Sequence, residues 1–341
     1  MNWMEKVNGD PLSWLLEQDP VNPSIRYLAL SNILNRSQDD LEVIQSRTEA
    51  MKTGPIPAIL DAMDPEGYWV QPGPGYYPKY KGSVWQIIFL AQLGADGSHP
   101  KIQKACDYIL ENSPSKHGGF SMNGLPSGMI HCLEGNLGAA LIALGMYGDT
   151  RLDSALDWLA RSVIGAGIAL SDQKNAPIRY LRSANSGPGF LCSANDQLPC
   201  AWGAIKAMLG LLAIPESERS DFVNQALEVG VEFLLSADPA QADYPMGYST
   251  KPNRSWFKFG FPVAYVTDVL QSLDVLTILG FGADERLASG MQLLLDKQDK
   301  EGRWPLEYTY NGKTWIDIEE RKKPSKWVTY RAMKVLSQAS S

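Results

Sequence analysis

Apolar residues along this chain gather into two kinds of helical stretch that alternate. One kind is apolar nearly all round: Val84 to Leu93, Leu133 to Leu144, Ala201 to Ile214, Val263 to Leu279 and Ser325 to Leu336. A helix without a polar face has to be covered on both sides, so these stretches predict an inner set. The second kind carries one apolar stripe and one charged face: Lys101 to Glu111, Arg151 to Val163, Ser220 to Leu235 and Glu285 to Leu295. Within it, Leu152, Leu156 and Leu159 recur at helical spacing while Asp153, Asp157 and Arg161 fall elsewhere, as on a helix with one side in water.

A glycine followed closely by a large aromatic punctuates the pattern at Gly67-Tyr68-Trp69, Gly119-Phe120, Gly189-Phe190, Gly247-Tyr248 and Gly302-Arg303-Trp304. The interval is roughly fifty to seventy residues, the length of one helical hairpin with its loops. A further copy without the glycine is visible where Pro23-Ser24-Ile25-Arg26-Tyr27 echoes Pro324-Ser325-Lys326-Trp327. Each hairpin can bury its apolar faces only against its neighbours, which predicts an all-α protein, an α/α toroid of about six inner and six outer helices. No Gly/Ser-rich or Pro-rich linker interrupts it, so residues 1–341 read as one domain, with closing helices over 1–52 and repeats over 53–341. Asn311-Gly312 between two β-favouring runs predicts a small hairpin near residues 306–318. The stretch Gly165 to Pro199 lacks helical periodicity and has the length of a lid or binding loop.

The motifs Asp64-Pro65-Glu66-Gly67-Tyr68-Trp69, His117-Gly118-Gly119-Phe120 and Asp299-Lys300-Glu301-Gly302-Arg303-Trp304 resemble those of the squalene-cyclase, terpenoid-cyclase and protein-prenyltransferase β-subunit superfamily. The likeness runs from about Pro55 to the C-terminus and implies an α/α toroid acting on an isoprenoid. The chain departs from the family's chemistry. It has no Asp-x-Asp-Asp motif at an inner-helix start, its Asp39-Asp40 lies in a charged segment, and nothing matches the prenyltransferase zinc residues in order.

Composition narrows the partners. A net charge of -7 leaves no basic stripe for phosphate backbones, so nucleic acid is not expected. The apolar run Asn136 to Tyr147 is too short for a transmembrane segment, and Met1 to Asn8 lacks the pattern of a signal peptide. A cytoplasmic protein with reduced cysteines is the expectation.

In an α/α ring the inner-helix N-termini share one mouth, where unpaired N–H groups and helix dipoles favour anions. Three of the four cysteines fall there, Cys132, Cys192 and Cys200, with His131 beside the first. Together they have the ligand types of a Zn²⁺ site, or else they are small buried hydrophobes. Asp268 interrupts an apolar stretch and is a candidate general acid, or a structural acceptor tied to N–H groups or Lys206. Glu134 occupies a comparable place. Trp85, Trp202, Tyr265, Trp327, Tyr80 and Lys81 are the candidate substrate-binding residues, the rings for apolar contact or cation stabilisation and the lysine, with Lys79, Arg254, Lys258 and Lys326, for an anionic head group.

These residues fit an enzyme acting on an isoprenoid or other small apolar molecule by acid or metal-assisted chemistry. A non-catalytic ligand-binding or scaffold toroid is the alternative. A glycan-active barrel with Asp268 opposite Glu134 is a third reading.

Overall fold

The structure, a computed structural model, describes residues 2–169, 173–175 and 185–340, so the expected lid at 165–199 lies partly outside the described residues. The chain is mostly helical. Its first helices are α1 (Pro11–Leu16), α2 (Ser24–Asn32), α3 (Leu41–Lys52), α4 (Pro55–Asp61), α5 (Ser83–Gln92) and α6 (Pro100–Asn112). They are followed by α7 (His131–Ala143), α8 (Thr150–Ile164), α9 (Ala201–Leu212), α10 (Asp221–Leu234), α11 (Val269–Ile278), α12 (Ala288–Leu295) and α13 (Lys326–Gln338).

The stretches read as inner ones are α5, α7, α9, α11 and α13, joined by α2, with α13 also carrying Lys326, Arg331 and Lys334. They neighbour one another in that order: α5 packs on α7, α7 on α9, α9 on α11, α11 on α13 and α13 on α2. All six border one cavity of about 290 Å³. The half-charged stretches α6, α8, α10 and α12 lie outside them, as α3 and α4 do against α2 and α5. Polar side chains start several of these helices by accepting from the first turn: Asp149 on α8, Ser220 on α10, Asp268 on α11 and Ser325 on α13. The closest approach is between α7 and α9. A side-chain carbon on Gly135 would sit 1.8 Å from the Lys206 carbonyl oxygen, and one on Gly210 would sit 2.7 Å from the Gly135 Cα, so the two backbones touch without intervening side chains.

The repeated aromatics have a definite job. The Trp69 indole donates to the Ile59 carbonyl at 2.9 Å and the Trp304 indole to the Leu294 carbonyl at 2.7 Å, each reaching ten residues back to the end of the preceding outer helix. In the fourth repeat the group that does this is Tyr244, whose hydroxyl donates to the Leu234 carbonyl at 2.7 Å. Tyr248, the residue beside the expected glycine, is 63% exposed and anchors nothing of the kind. Gly247 is needed for a different reason: any side chain there would collide with Asp196, whose Cβ lies 2.2 Å from the position.

The expected hairpin near 306–318 does not form. Tyr310 is buried and its hydroxyl accepts from the Val266 N–H, while the Trp315 indole donates to the Lys81 carbonyl. The aromatic side chains that suggested paired strands instead pin this segment to the helical body, and Asn311 and Gly312 make a local turn closed by Glu319 and Asp317. The sheet lies elsewhere: β1 (Ser186–Gly187), β2 (Leu191–Cys192) and β3 (Leu198–Pro199) form an antiparallel β1-β2-β3 order, with Leu191 opposite Pro199 and Cys192 opposite Leu198.

A candidate pocket at the inner-helix N-termini

Two cavities lie along the inner helices, separated by a stretch of the chain itself. From Gly260 to Val266 the backbone has left the apolar pattern that suggested helix from Val263 and crosses the interior. Gln92 of α5 holds both polar groups of Val263, accepting from its N–H at 2.8 Å and donating to its carbonyl at 2.6 Å. Asn136 of α7 donates to the Ala264 carbonyl, Arg331 of α13 to the Gly260 carbonyl, and the Phe261 ring stacks on Trp327 with centroids 4.0 Å apart. On one side is the 290 Å³ cavity bordered by Asn32, Asp274, Tyr330, Arg331 and Lys334. On the other, at the N-termini of α7 and α9, is a pocket of about 340 Å³.

This second pocket collects Cys132, Cys192, Cys200, His131, Trp202 and Tyr265 from the candidates. Its walls add Tyr76, Phe190, Tyr244, Trp256 and Met122, so most of the lining is aromatic or apolar. Lys79 is the one Lys, Arg, Asp or Glu among its described lining residues. Its ammonium stands 4.9 Å from the centre of the Tyr265 ring and 5.8 Å from that of Tyr76. Burial raises the pKa of the Tyr76 phenol, and the neighbouring Cys132, with burial after it, raises that of Tyr265, so both stay protonated donors at neutral pH.

The other candidates lie elsewhere. Trp85 is buried with its indole on the Tyr76 carbonyl, and Trp327 is buried with its indole on Asn22. Tyr80 packs its ring on Tyr310 and Trp85, and Lys81 lies over Trp315. Lys326 is buried and paired with Asp19 at 3.3 Å. These rings and charges serve packing between repeats.

Asp268 has its oxygens committed. One accepts from the Gln271 N–H at 2.8 Å and from the Arg331 guanidinium at 2.8 Å; the other takes a second Arg331 bond at 2.9 Å. Such a carboxylate caps α11 and fixes Arg331, its oxygens already taken by these donors. Lys206, fully buried on the neighbouring α9, donates to the Gln271 side chain one turn into α11, and desolvation brings its ammonium down to about 7 despite the attraction of Asp268. Glu134 is also sealed, at 1% exposure. Its Oε1 lies 2.8 Å from where a side chain on Gly119 would begin, under the turn into Phe120, and burial holds the carboxyl well above the usual carboxylate range. In neighbouring repeats the same turn is received by hydroxyls: Ser83 accepts from the Trp69 N–H and Thr329 from the Trp304 N–H. Glu134 and Asp268 therefore do not face each other across an open cleft, the arrangement a glycan-active site requires.

The zinc expectation is not met by the geometry. Among the described residues no three His, Cys, Asp or Glu side chains converge as a metal ion requires. The His131 ring is turned to Ser162 of α8, 2.7 Å away, between Trp158 and Phe190, and burial drops its pKa to about 3. What does gather is sulfur with its hydrogen-bonding partners. The Cys192 and Cys200 side chains interact, and the backbone N–H groups of Ala194 and Asn195 lie close to the Cys192 sulfur. Cys132 partners the Tyr265 hydroxyl. Among the described residues no helix is long and apolar enough to cross a membrane.

No family model and no curated protein matches the sequence. Solved structures do. The type II terpene cyclase MstE from Scytonema, without ligand, aligns at 13% identity over 83% of this chain and 95% of that one, with a TM-score of 0.32. A variant of MstE in complex with geranylgeranyl dihydroxybenzoate, its substrate, aligns at 14% identity over 83% and 94% of the two chains, with a TM-score of 0.31.

Proposed function

We propose that this chain is a single closed α/α toroid that binds a small, largely apolar molecule with one anionic end, in the pocket at the N-termini of α7 and α9. The observation that carries the reading is the character of that pocket: about 340 Å³, walled by aromatic rings, with Lys79 as its single charged lining residue among those described. Concave, mostly apolar sites with a few placed polar groups are the usual form of small-molecule sites. An isoprenoid acid or phosphate suits the walls, and the glycine-aromatic repeats resemble those of proteins that handle isoprenoids. Binding is favoured over carboxyl-acid catalysis because Asp268 is saturated by Arg331 and Glu134 is sealed away from the pocket.

The test uses farnesol and farnesoic acid as probes, titrated against the protein by calorimetry. The acid is expected to bind about tenfold more tightly than the alcohol, from one charge-assisted contact. Trp202→Ala should weaken both by about tenfold, the value of one aromatic wall, and Lys79→Ala should abolish the difference between them. Absence of binding by either probe, or variants that bind both as the parent does, overturns the proposal.

A further inference from the structure

Three thiols in one apolar pocket are more than the binding of an apolar molecule calls for, and two of them are arranged as a pair. Cys192 ends β2, and Cys200 follows β3 directly, its N–H donating at 2.9 Å to the carbonyl of Phe190, two residues before Cys192. The register sets Cys192 opposite Leu198, two residues before Cys200, so the two cysteines are diagonal neighbours on one face of the hairpin and their side chains interact. Cys200 also starts α9, its sulfur accepting from the Gly203 N–H at 3.5 Å. Both residues are half-buried and line the pocket, so a small solute that enters it meets them. Cys106 is fully buried on α6 under apolar neighbours, and Cys132 is engaged by Tyr265.

We propose that Cys192 and Cys200 form a peroxide-oxidisable dithiol, with Cys192 the attacking and Cys200 the resolving sulfur. The Cys192 thiolate attacks one oxygen of a hydroperoxide; the O–O bond breaks, and the leaving hydroxide or alkoxide takes a proton to give water or alcohol. Cys192 is then a sulfenic acid. The Cys200 sulfur attacks it, the S–S bond forms, and hydroxide departs as water with the proton that Cys200 gives up. Two thiols lose two electrons and the peroxide gains them.

The chemistry of the pair suits this order. The interaction with Cys200 and the nearby N–H groups of Ala194 and Asn195 bring the Cys192 thiol down from its ordinary value, while the same interaction, and after it burial, pushes Cys200 up. Of two paired thiols, the more readily ionised is the one that attacks a peroxide. The third sulfur, Cys132, lies close enough to feel the Cys192 charge, yet burial pushes its own thiol up to about 12. It stays a bystander.

The experiment treats reduced full-length protein with a few equivalents of hydrogen peroxide and follows intact mass and the peptide map. The expected product has lost two hydrogens and contains one disulfide, joining Cys192 to Cys200. In Cys200→Ser, Cys192 should stop at the sulfenic acid and be captured by dimedone; in Cys192→Ser, capture at residue 200 should fall at least tenfold. Cys132→Ser should oxidise as the parent does. Because a serine variant can misfold, the parent itself gives a second reading: iodoacetamide at pH 7 should label Cys192 at least tenfold faster than Cys132 and Cys106. A disulfide to Cys132, no disulfide at all, or equal labelling rates overturns the proposal.

Discussion

Glu134 shows how one buried side chain decides a local balance. Its carboxyl lies beneath the Gly119-Phe120 turn, where Ser83 and Thr329 place neutral hydroxyls in other repeats. Neither Glu134 oxygen holds a hydrogen bond of ordinary geometry among the described residues, so its charged form is costly there. The pKa is raised in the folded state from an ordinary value of 4.5. A raised pKa contributes stability that is fully present below 4.5 and is lost as pH climbs toward the folded value, because the unfolded chain releases its proton first. Glu134→Gln keeps the shape and removes the titration. The gap in unfolding free energy between variant and parent should therefore widen in the variant's favour above pH 4.5, by up to about 1.4 kcal/mol per pH unit. Chemical denaturation from pH 4 to 8 measures it. The His131 imidazole titrates in the opposite sense but is common to both proteins and cancels in the difference. A gap that stays flat across that range would mean that Glu134 is charged in the fold.

At the scale of helices and loops, the hydrophobic pattern reads the chain closely where local periodicity decides the outcome. The inner stretches α5, α7, α9 and α13 and the outer stretches α6, α8, α10 and α12 lie where the spacing of leucines and charges puts them. The pattern misleads where distant partners decide. Val263 to Asp268 is as apolar as the helix that follows, yet Gln92, Asn136 and Arg331, each at least 63 residues away, hold it as irregular chain. The β-favouring residues around Asn311 likewise take their partners from Val266 and Lys81, which no short-range rule sees. The mouth of the inner helices was legible as the place for Cys132, Cys200 and Trp202, because helix starts can be read from sequence; Tyr76, Tyr244 and Phe190 on its walls come from loops whose course cannot. The α7–α9 contact is the element on which the arrangement turns. Gly135→Ala puts a methyl into the Lys206 carbonyl, and neither backbone can retreat without moving its outer helix. A loss of about 3 kcal/mol, at the upper end for overpacking, is expected in denaturant unfolding. Gly145→Ala, at the open end of α7 with nothing within 4 Å, is a control that carries only backbone strain.

Over the whole molecule, the consequence of the crossing segment is an interior in two chambers of about 340 and 290 Å³ with different walls. The first is aromatic and sulfur-rich. The second is also mostly apolar, but it is edged by the charged and amide groups of Arg331, Lys334, Asp274, Gln92 and Asn136, with Lys334 bound to Asp274 at 2.9 Å. A ligand of the first chamber is thus limited in length by the chain's own backbone from Gly260 to Val266, and Tyr265 on that segment forms part of its floor. Gln92 is the main tie: it satisfies both polar groups of Val263, which is buried at 7% exposure. Replacing it by alanine leaves a buried N–H and a buried carbonyl without their partner, at about 1–3 kcal/mol for each, or about 2–6 kcal/mol together. Gln92→Ala should lower global stability by that amount and raise amide exchange from Val263 to Val266 by at least tenfold, while exchange in α7 and α9 changes only as far as global stability does. Hydrogen exchange followed by mass spectrometry reads both at once. Native-like protection of the segment in the variant would show that the stack of Phe261 on Trp327 is enough to divide the interior, and that Gln92 is incidental to it.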